Sequence, residues 1–229
     1  HLLRQASLAL AQPSRQRDGR EAGSAIAVAT NVEASKQELL RDLLRQVSRL
    51  FYTTLVVVPA DVRDQVSLGY LFARAADTIA DTELIDRPRR LDLLGQLKAQ
   101  FVSDQIVWTQ VQEIQRAVGP VQHNPAERIL LERLEDCFRL FLTFSPDDRR
   151  RIQRLMTTLT QGMEMDLVAF PGTSAADLTA LKTLDDLDRY TYYVAGCVGE
   201  FWTDLMCAHR KALASWKVRD MAEVGVRFG

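Results

Sequence analysis

Apolar residues recur at three- and four-residue spacing through most of the chain after residue 35. The clearest stripes run over residues 39–47, 66–75, 91–97, 129–141 and 152–159. This spacing puts the apolar side chains of each segment on one side of a helix. The pattern therefore predicts a set of helices that each bury one face.

Prolines and glycines separate these stripes, and proline does not continue a helix interior. The breaks fall at Pro59, Pro88, Gly119-Pro120, Asn124-Pro125, Ser145-Pro146 and the stretch 171–174. Residues 55–58 are strand-like in composition, but they are too few to build a sheet. We predict one all-α domain over residues 35–229 with roughly seven or eight helices, preceded by a flexible lead-in over residues 1–34.

Composition narrows the class of protein further. Of the 229 residues, 47% are hydrophobic, which argues against global disorder, and the net charge of -1 argues against a general nucleic-acid binder. No apolar stretch approaches the roughly 18 residues of a membrane span. The cysteines Cys137, Cys197 and Cys207 form no Cys-x-x-Cys pair, so we expect reduced thiols in a cytoplasmic protein and no structural zinc site.

An unusual polar face lies on the segment 70–81. Tyr70, Arg74, Asp77 and Asp81 follow one another at spacings of four, three and four residues, so a helix places them within one arc. Their neighbours are apolar, and two like charges there destabilise a helix. Mg²⁺ bridged to a substrate phosphate would relieve this repulsion, and Arg74 would grip the same phosphate. The alternative is a solvated acidic patch with an Arg74–Asp77 surface pair.

A second unusual segment covers residues 190–199. Gly196 and Gly199 lie three apart in an apolar helix, where glycine costs stability relative to alanine. Two explanations stay open, namely close helix packing and room for a large apolar ligand. A tyrosine on such a wall donates to an anion or stabilises a cation with its ring. With a uniform helical period, four residues share one face, namely Tyr190, Val194, Cys197 and Phe201.

These two segments, together with Ser48-Arg-Leu-Phe51, resemble the squalene/phytoene synthase family in order and spacing. The family pattern Tyr-x-x-x-Arg-x-x-Asp-x-x-x-Asp matches 70–81, which looks most like the squalene synthase version. The pattern Tyr-x-x-Tyr-Val-Ala-Gly-x-Val-Gly matches 190–199. Residues 162–166 lie where family members carry a cavity helix rich in glycine and methionine. The resemblance covers about residues 35–229.

The resemblance implies the isoprenoid synthase fold of the class I terpenoid synthases, a helical bundle around a central apolar cavity. It implies head-to-head condensation of two farnesyl diphosphates through presqualene diphosphate to squalene, with Mg²⁺ and NADPH. The alternative within the family is a dehydrosqualene or phytoene synthase that works without reduction. Such apolar products also imply peripheral contact with a membrane.

The resemblance assigns a role to each matching residue. Asp77 and Asp81 would bind Mg²⁺, and Tyr190 and Arg74 would be catalytic. The residues that would contact substrate are Ser48, Arg49, Phe51, Tyr70, Tyr193, Val194, Gly196 and Gly199.

The sequence departs from the family pattern in two places. Ala80 stands where many squalene synthases carry a third acid, and no match to the second acidic motif, Asn-x-x-Arg-Asp-x-x-x-Asp, is found. Residues 222–229 resemble the lead-in to that motif, so we expect the sequence to be truncated before the second Asp-rich helix. A non-catalytic relative that binds prenyl lipids or a partner enzyme is the other hypothesis.

Overall fold

The computed structural model describes residues 35–170 and 179–229, together with Gly172 and Asp177. Within these residues the chain forms helices and no strand, which confirms the all-α prediction. The predicted lead-in over residues 1–34 lies outside the described residues, as does most of the predicted break at 171–174.

Eleven α-helices, named α1 to α11, follow one another in the described residues. They are α1 (Leu44–Val47, continuing a π-helical segment Glu38–Leu43), α2 (Arg49–Leu55), α3 (Ala60–Asp81), α4 (Arg87–Ala99), α5 (Trp108–Val118), α6 (Pro125–Glu132), α7 (Leu134–Leu142), α8 (Pro146–Ala169), α9 (Leu184–Thr191), α10 (Cys197–His209) and α11 (Val218–Phe228). This exceeds the seven or eight predicted. One reason is a short break at Arg133, which divides the stripe over 129–141 without proline or glycine.

Side-chain caps begin several of these helices at the predicted breaks. Asn124 accepts a hydrogen bond from the backbone N–H of Ala126, and Ser145 accepts one from Asp148. Such caps satisfy N–H groups that have no partner within the helix, and the proline that follows each cap lacks an N–H of its own. The breaks at Asn124-Pro125 and Ser145-Pro146 are therefore confirmed as helix starts.

The core is one apolar cluster around the long helices α3 and α8. At its centre lie four phenylalanine rings from α3, α7 and the end of α4, with centroids 4.7–6.1 Å apart and mostly tilted or edge-on. Burying the apolar face of α3 leaves its polar face at the edge of the bundle. The packing of α3 thus orients the residues that the sequence singled out.

A buried carboxylate ties three helices together outside that polar face. Asp148 of α8 is 3% exposed, and it accepts hydrogen bonds from Gln65 of α3 (3.0 Å) and Arg151 (3.1 Å) and contacts His209 of α10 at 2.8 Å. Burial alone would raise the pKa of Asp148, but the hydrogen bonds from His209 and Gln65 outweigh burial and lower this pKa below its ordinary value. The ionised form of Asp148 therefore contributes to stability.

We expect Asp148→Ala to lower the free energy of unfolding by about 3 kcal/mol, because Gln65 and His209 lose their buried acceptor and Arg151 keeps only its longer contact with Asp204. Since the pKa of Asp148 is lowered by folding, this contribution is present above its unfolded pKa and is lost as pH falls through the folded pKa. Urea unfolding at several pH values measures both effects. The neighbouring exposed carboxylate is the control, since Asp147→Ala should change stability by less than about 0.5 kcal/mol. Equal stability losses in the two variants would contradict the assignment.

Among the described helices, none combines the length and apolar character that crossing a bilayer requires.

Candidate functional site

The polar face of α3 carries an ion-pair network centred on Arg74. Its guanidinium group bonds the carboxylates of Asp77, one turn further along α3, and of Glu127 on α6. Burial lowers the pKa of Arg74, but Glu127 and Asp77 outweigh burial and raise it above its ordinary value. The Arg74–Asp77 pair, one of the alternatives that the sequence left open, is thus present. Glu127 also belongs to the network, with a side chain only 12% exposed, although the sequence did not single it out.

Next to this network lies a small hollow, here called the acidic cleft, with a volume of about 240 Å³. It is lined by Asp77, Ala80, Asp81, Leu159, Met163, Asp166, Tyr190 and Val194. Partial burial, followed by the charge of Asp77, raises the pKa of Asp81 above its ordinary value, and Asp166 adds to the effect. The cleft therefore concentrates negative charge that the protein does not fully compensate.

The second wall of the acidic cleft comes from α8. Leu159, Met163 and Asp166 follow at spacings of four and three residues, so they share one face of that helix. The hydroxyl of Tyr190 donates a hydrogen bond of 2.8 Å to Asp166 Oδ1. Burial, together with this bond, raises the pKa of Tyr190 to about 12, so its phenol is neutral at physiological pH.

A π-helical segment, Tyr192–Gly196, joins α9 to α10 and changes the helical register. Tyr190 and Val194 both line the acidic cleft, whereas Cys197 and Phe201 are buried in the core and line a different groove. The prediction that these four residues share one helix face is therefore wrong. A π-helical turn holds more residues than an α-helical turn, so a uniform period of 100° per residue does not hold across the segment.

Gly162 lets α8 and the π-helical segment approach closely. A Cβ atom at Gly162 would lie 2.8 Å from Tyr193 Cβ and 3.0 Å from Val194 Cγ1, and contacts this short require a shift of the backbone or of its neighbours. The close approach places Val194 next to Met163 at the acidic cleft. Gly162 is thus a structural requirement of the cleft.

Gly196 and Gly199 face α11. A Cβ atom at Gly199 would overlap the backbone carbonyl of Gly225, and one at Gly196 would lie 3.2 Å from Val226 Cγ1. Of the two explanations left open by the sequence, close helix packing is the one observed at Gly199. Gly199 and Gly225 also line an apolar groove of about 610 Å³ between α10 and α11, together with Trp202 and Trp216.

We expect Gly199→Ala to lower the free energy of unfolding by about 1–3 kcal/mol, because the added methyl group forces α10 and α11 apart. Gly95→Ala in α4 is the matched control, since a Cβ atom there would meet nothing within 4 Å. The control should gain about 0.5–1 kcal/mol from the better helix propensity of alanine. A Gly199→Ala protein as stable as the wild type in urea unfolding would contradict the close contact.

The Ser48–Phe51 element packs against the start of the polar face of α3. Ser48 caps α2 by accepting a hydrogen bond of 3.2 Å from the backbone N–H of Phe51. The Phe51 ring stacks on Tyr70 with centroids 3.9 Å apart. Arg49 is exposed, and among the described residues it makes no ion pair. The structure thus brings Ser48, Phe51 and Tyr70 together, and Tyr70 lies about two turns of α3 before Asp77.

The remaining predicted substrate residue, Tyr193, lies outside the acidic cleft. Its hydroxyl accepts a hydrogen bond of 3.2 Å from Gln161 on α8. Of the twelve residues assigned by resemblance, four line the cleft, namely Asp77, Asp81, Tyr190 and Val194. Their placement is a finding, whereas the role of each residue stays a prediction.

The donor set of the cleft fits a hard divalent cation better than a zinc ion. Within the described residues, no group of three or more histidine, cysteine, aspartate or glutamate side chains could hold a metal ion alone. Mg²⁺ needs no such closed cage, since proteins commonly hold it with one or two carboxylates and substrate phosphates. Asp77 and Asp81, with the raised pKa of Asp81, offer that partial ligand set.

Comparison with known proteins identifies the family. The squalene/phytoene synthase family model matches residues 44–229. The squalene synthase of Eremothecium gossypii is 26% identical over 72% of this chain and 34% of that protein. The bifunctional lycopene cyclase/phytoene synthase of Blakeslea trispora is 29% identical over 81% of this chain and 28% of that protein. The chain thus spans about a third of the length of these curated relatives.

Solved structures agree on the fold. The complex of TcSQS with the ligand E5700 superimposes with a TM-score of 0.60 at 23% sequence identity, over 83% of this chain and 50% of that one. A second complex of the same protein, with BPH1237, gives a TM-score of 0.59. The fold is therefore the all-α isoprenoid synthase fold, as predicted. With the family model matched across residues 44–229, the chain belongs to the squalene/phytoene synthase family.

Proposed function

We propose that this protein is a Mg²⁺-dependent prenyltransferase that condenses two farnesyl diphosphates head to head, through presqualene diphosphate, to squalene. The observation that carries the proposal is the acidic cleft, where Asp77 and Asp81 face an apolar wall and a tyrosine in a member of this family. Two carboxylates, of which Arg74 pairs only with Asp77, match the handling of a metal-bound diphosphate.

The residues divide the work of ionising a prenyl diphosphate. Asp77 and Asp81 would hold Mg²⁺, which supplies positive charge for the departing diphosphate. Arg74 and the exposed Arg49 would bind diphosphate oxygens as charged forks. Because Arg74 already pairs with Asp77 and Glu127, its guanidinium group is held at the edge of the cleft before substrate arrives.

The apolar side of the cleft protects the carbocation that remains after diphosphate leaves. Leu159 and Val194 present only hydrocarbon to the cation, and with Met163 they would keep water, which quenches the cation, away from it. Tyr190 stands beside them as a neutral phenol whose ring and oxygen are electron-rich. Substrate contacts of Ser48, Phe51, Tyr70, Tyr193, Gly196 and Gly199 are proposed from the family resemblance.

The described residues contain no recognisable dinucleotide-binding loop for NADPH. A dinucleotide-binding loop follows a strand and opens a helix, and the described part of the chain has no strand. We therefore assign no residue to NADPH, and the reductive step is proposed from the resemblance alone. Peripheral contact with a membrane stays a prediction on the same basis.

A second candidate is a dehydrosqualene or phytoene synthase, which ends the reaction by proton loss without reduction. It is favoured by the similarity to bifunctional lycopene cyclase/phytoene synthases, which are 26% and 29% identical to this chain. Squalene synthases reach 25–27% identity. The two candidates share the ionisation step and differ in product, and a phytoene synthase would also differ in the chain length of its substrate.

Diphosphate release tests the shared step. Purified protein is incubated with farnesyl or geranylgeranyl diphosphate, with Mg²⁺ or with EDTA, and released diphosphate is quantified. We expect release from farnesyl diphosphate that needs Mg²⁺ and is faster than release from geranylgeranyl diphosphate. Faster release from the longer substrate would favour the phytoene branch. No release from either substrate would contradict the proposed enzyme and favour a prenyl-lipid-binding relative.

A further inference from the structure

One hydrogen bond connects α9 to α8 across the acidic cleft. Tyr190 Oη lies 2.8 Å from Asp166 Oδ1, and both residues line the cleft together with Asp77 and Asp81. The Tyr190 ring also packs edge-on against Phe170, with centroids 6.0 Å apart and planes at 76°. The phenol is therefore held at two points, by its ring and by its hydroxyl group.

Among the described residues, Asp166 has no ion-pair partner through which it would stabilise the fold. Within the described residues it forms no salt bridge, and its hydrogen-bond partner is Tyr190. By contrast, Glu164 on the same helix pairs with Lys98 at 2.6 Å. A third carboxylate beside Asp77 and Asp81 adds charge repulsion, so its removal would stabilise the folded protein. A group that violates the local rule in this way is expected at a functional position.

The direction of the hydrogen bond determines what Tyr190 presents to the cleft. An ionised carboxylate only accepts hydrogen bonds, so the phenolic proton points towards Asp166. The oxygen lone pairs and the face of the ring are then left for the cleft. A phenol oriented in this way does not donate a proton to a departing diphosphate, but it stabilises positive charge.

We propose that Asp166 is a positioning residue that holds Tyr190 with its proton directed away from the cleft, so that the phenol faces the allylic cation. This inference rests on the proposed function, which supplies the cation. Asp166 acts through Tyr190 and does not itself bind the metal or the substrate.

A kinetic cycle tests whether Asp166 acts through Tyr190. Asp166→Ala should lower kcat for diphosphate release by about 10²-fold, since a misplaced catalytic group costs that much. In a Tyr190→Phe background the same substitution should change kcat by less than about twofold, because the hydroxyl group through which Asp166 holds the ring is already gone. Independent, multiplicative losses would overturn the proposal.

Two further variants separate positioning from metal binding and from damage to the fold. Asp166→Asn keeps an oxygen that accepts the Tyr190 hydrogen bond, so it should recover most of the kcat lost in Asp166→Ala. The Mg²⁺ concentration for half-maximal activity should stay within about twofold of wild type in both variants, and a rise of about tenfold would make Asp166 a metal ligand instead. Glu164→Gln is the matched control on α8 and should leave kcat unchanged.

A measurement without substrate distinguishes failure of this inference from failure of the proposed function. The urea midpoints of wild type, Asp166→Ala, Tyr190→Phe and the double variant form a second cycle. We expect Asp166→Ala to shift the midpoint differently in the two backgrounds, because the hydrogen bond exists in the free protein. If wild type releases no diphosphate, the proposed function fails, and the urea cycle still tests whether Asp166 and Tyr190 are in contact. Additive midpoint shifts would overturn the contact.

Discussion

Asp77→Asn is expected to lower kcat for diphosphate release from farnesyl diphosphate by about 10³-fold, with the helical fold retained. The amide keeps the shape of the carboxylate but removes the charge that would hold Mg²⁺ at the acidic cleft. Asp81→Asn should act in the same direction. Diphosphate release measured across Mg²⁺ concentrations, with circular dichroism on each variant, checks the prediction.

Stability provides the control for that result. Because burial and the charge of Asp77 raise the pKa of Asp81, folding favours the neutral form of Asp81. The sign follows: this group opposes folding at neutral pH, and its cost falls as pH drops through the folded pKa. Asp81→Asn should thus raise the urea midpoint at pH 7 while it lowers activity. Asp64→Asn, outside the cleft on α3, should preserve activity, and equal activity loss in it would contradict a specific role for the cleft.

Arg74→Gln should lower kcat for diphosphate release by about 10²-fold to 10³-fold, because the guanidinium group would stabilise the charge of the departing diphosphate. Glutamine keeps a donor but neither the charge nor the fork geometry. Stopped-assay kinetics over a range of farnesyl diphosphate concentrations separates the effect on kcat from that on KM. An Arg74→Gln enzyme with wild-type kcat would show that Arg74 serves only the ion pairs seen in the free protein.

Glu127→Gln separates the positioning of Arg74 from its charge. Glu127 bonds one side of the guanidinium group and Asp77 bonds the other, so loss of the Glu127 charge leaves Arg74 oriented from one side. We expect a smaller loss in kcat, about tenfold, with Mg²⁺ dependence unchanged. An effect as large as that of Arg74→Gln would place Glu127 closer to the chemistry than the structure does.

The sequence was sufficient to predict the parts of the site that lie on one helix. Tyr70, Arg74, Asp77 and Asp81 share a regular α-helix, where spacing alone determines the face. The all-α class followed equally from the apolar period, because every predicted stripe that the structure describes lies on helices. Local periodicity was enough wherever the helix was uniform.

The parts that the sequence could not predict depend on long-range packing. Glu127 and Asp166 are separated from Arg74 and Tyr190 by 53 and 24 residues, so no local spacing connects them. The π-helical segment at 192–196 shifted the register of Tyr190 relative to Cys197. The sequence left two explanations open for the glycine at position 199. Only the contact between α10 and α11, where Gly199 meets the backbone of Gly225, showed that close helix packing applies. The position of Glu164 and Asp166 on an apolar stretch was a signal, but it did not tell which of the two faces the cleft.

Product identification tests the central proposal of head-to-head condensation most directly. The protein is incubated with farnesyl diphosphate and Mg²⁺, with and without NADPH, and the extracted lipid is identified by mass spectrometry. We expect squalene with NADPH and none without it. Dehydrosqualene formed equally in both incubations would contradict the reductive step and assign the protein to the second branch. Farnesol as the sole product would contradict the condensation itself.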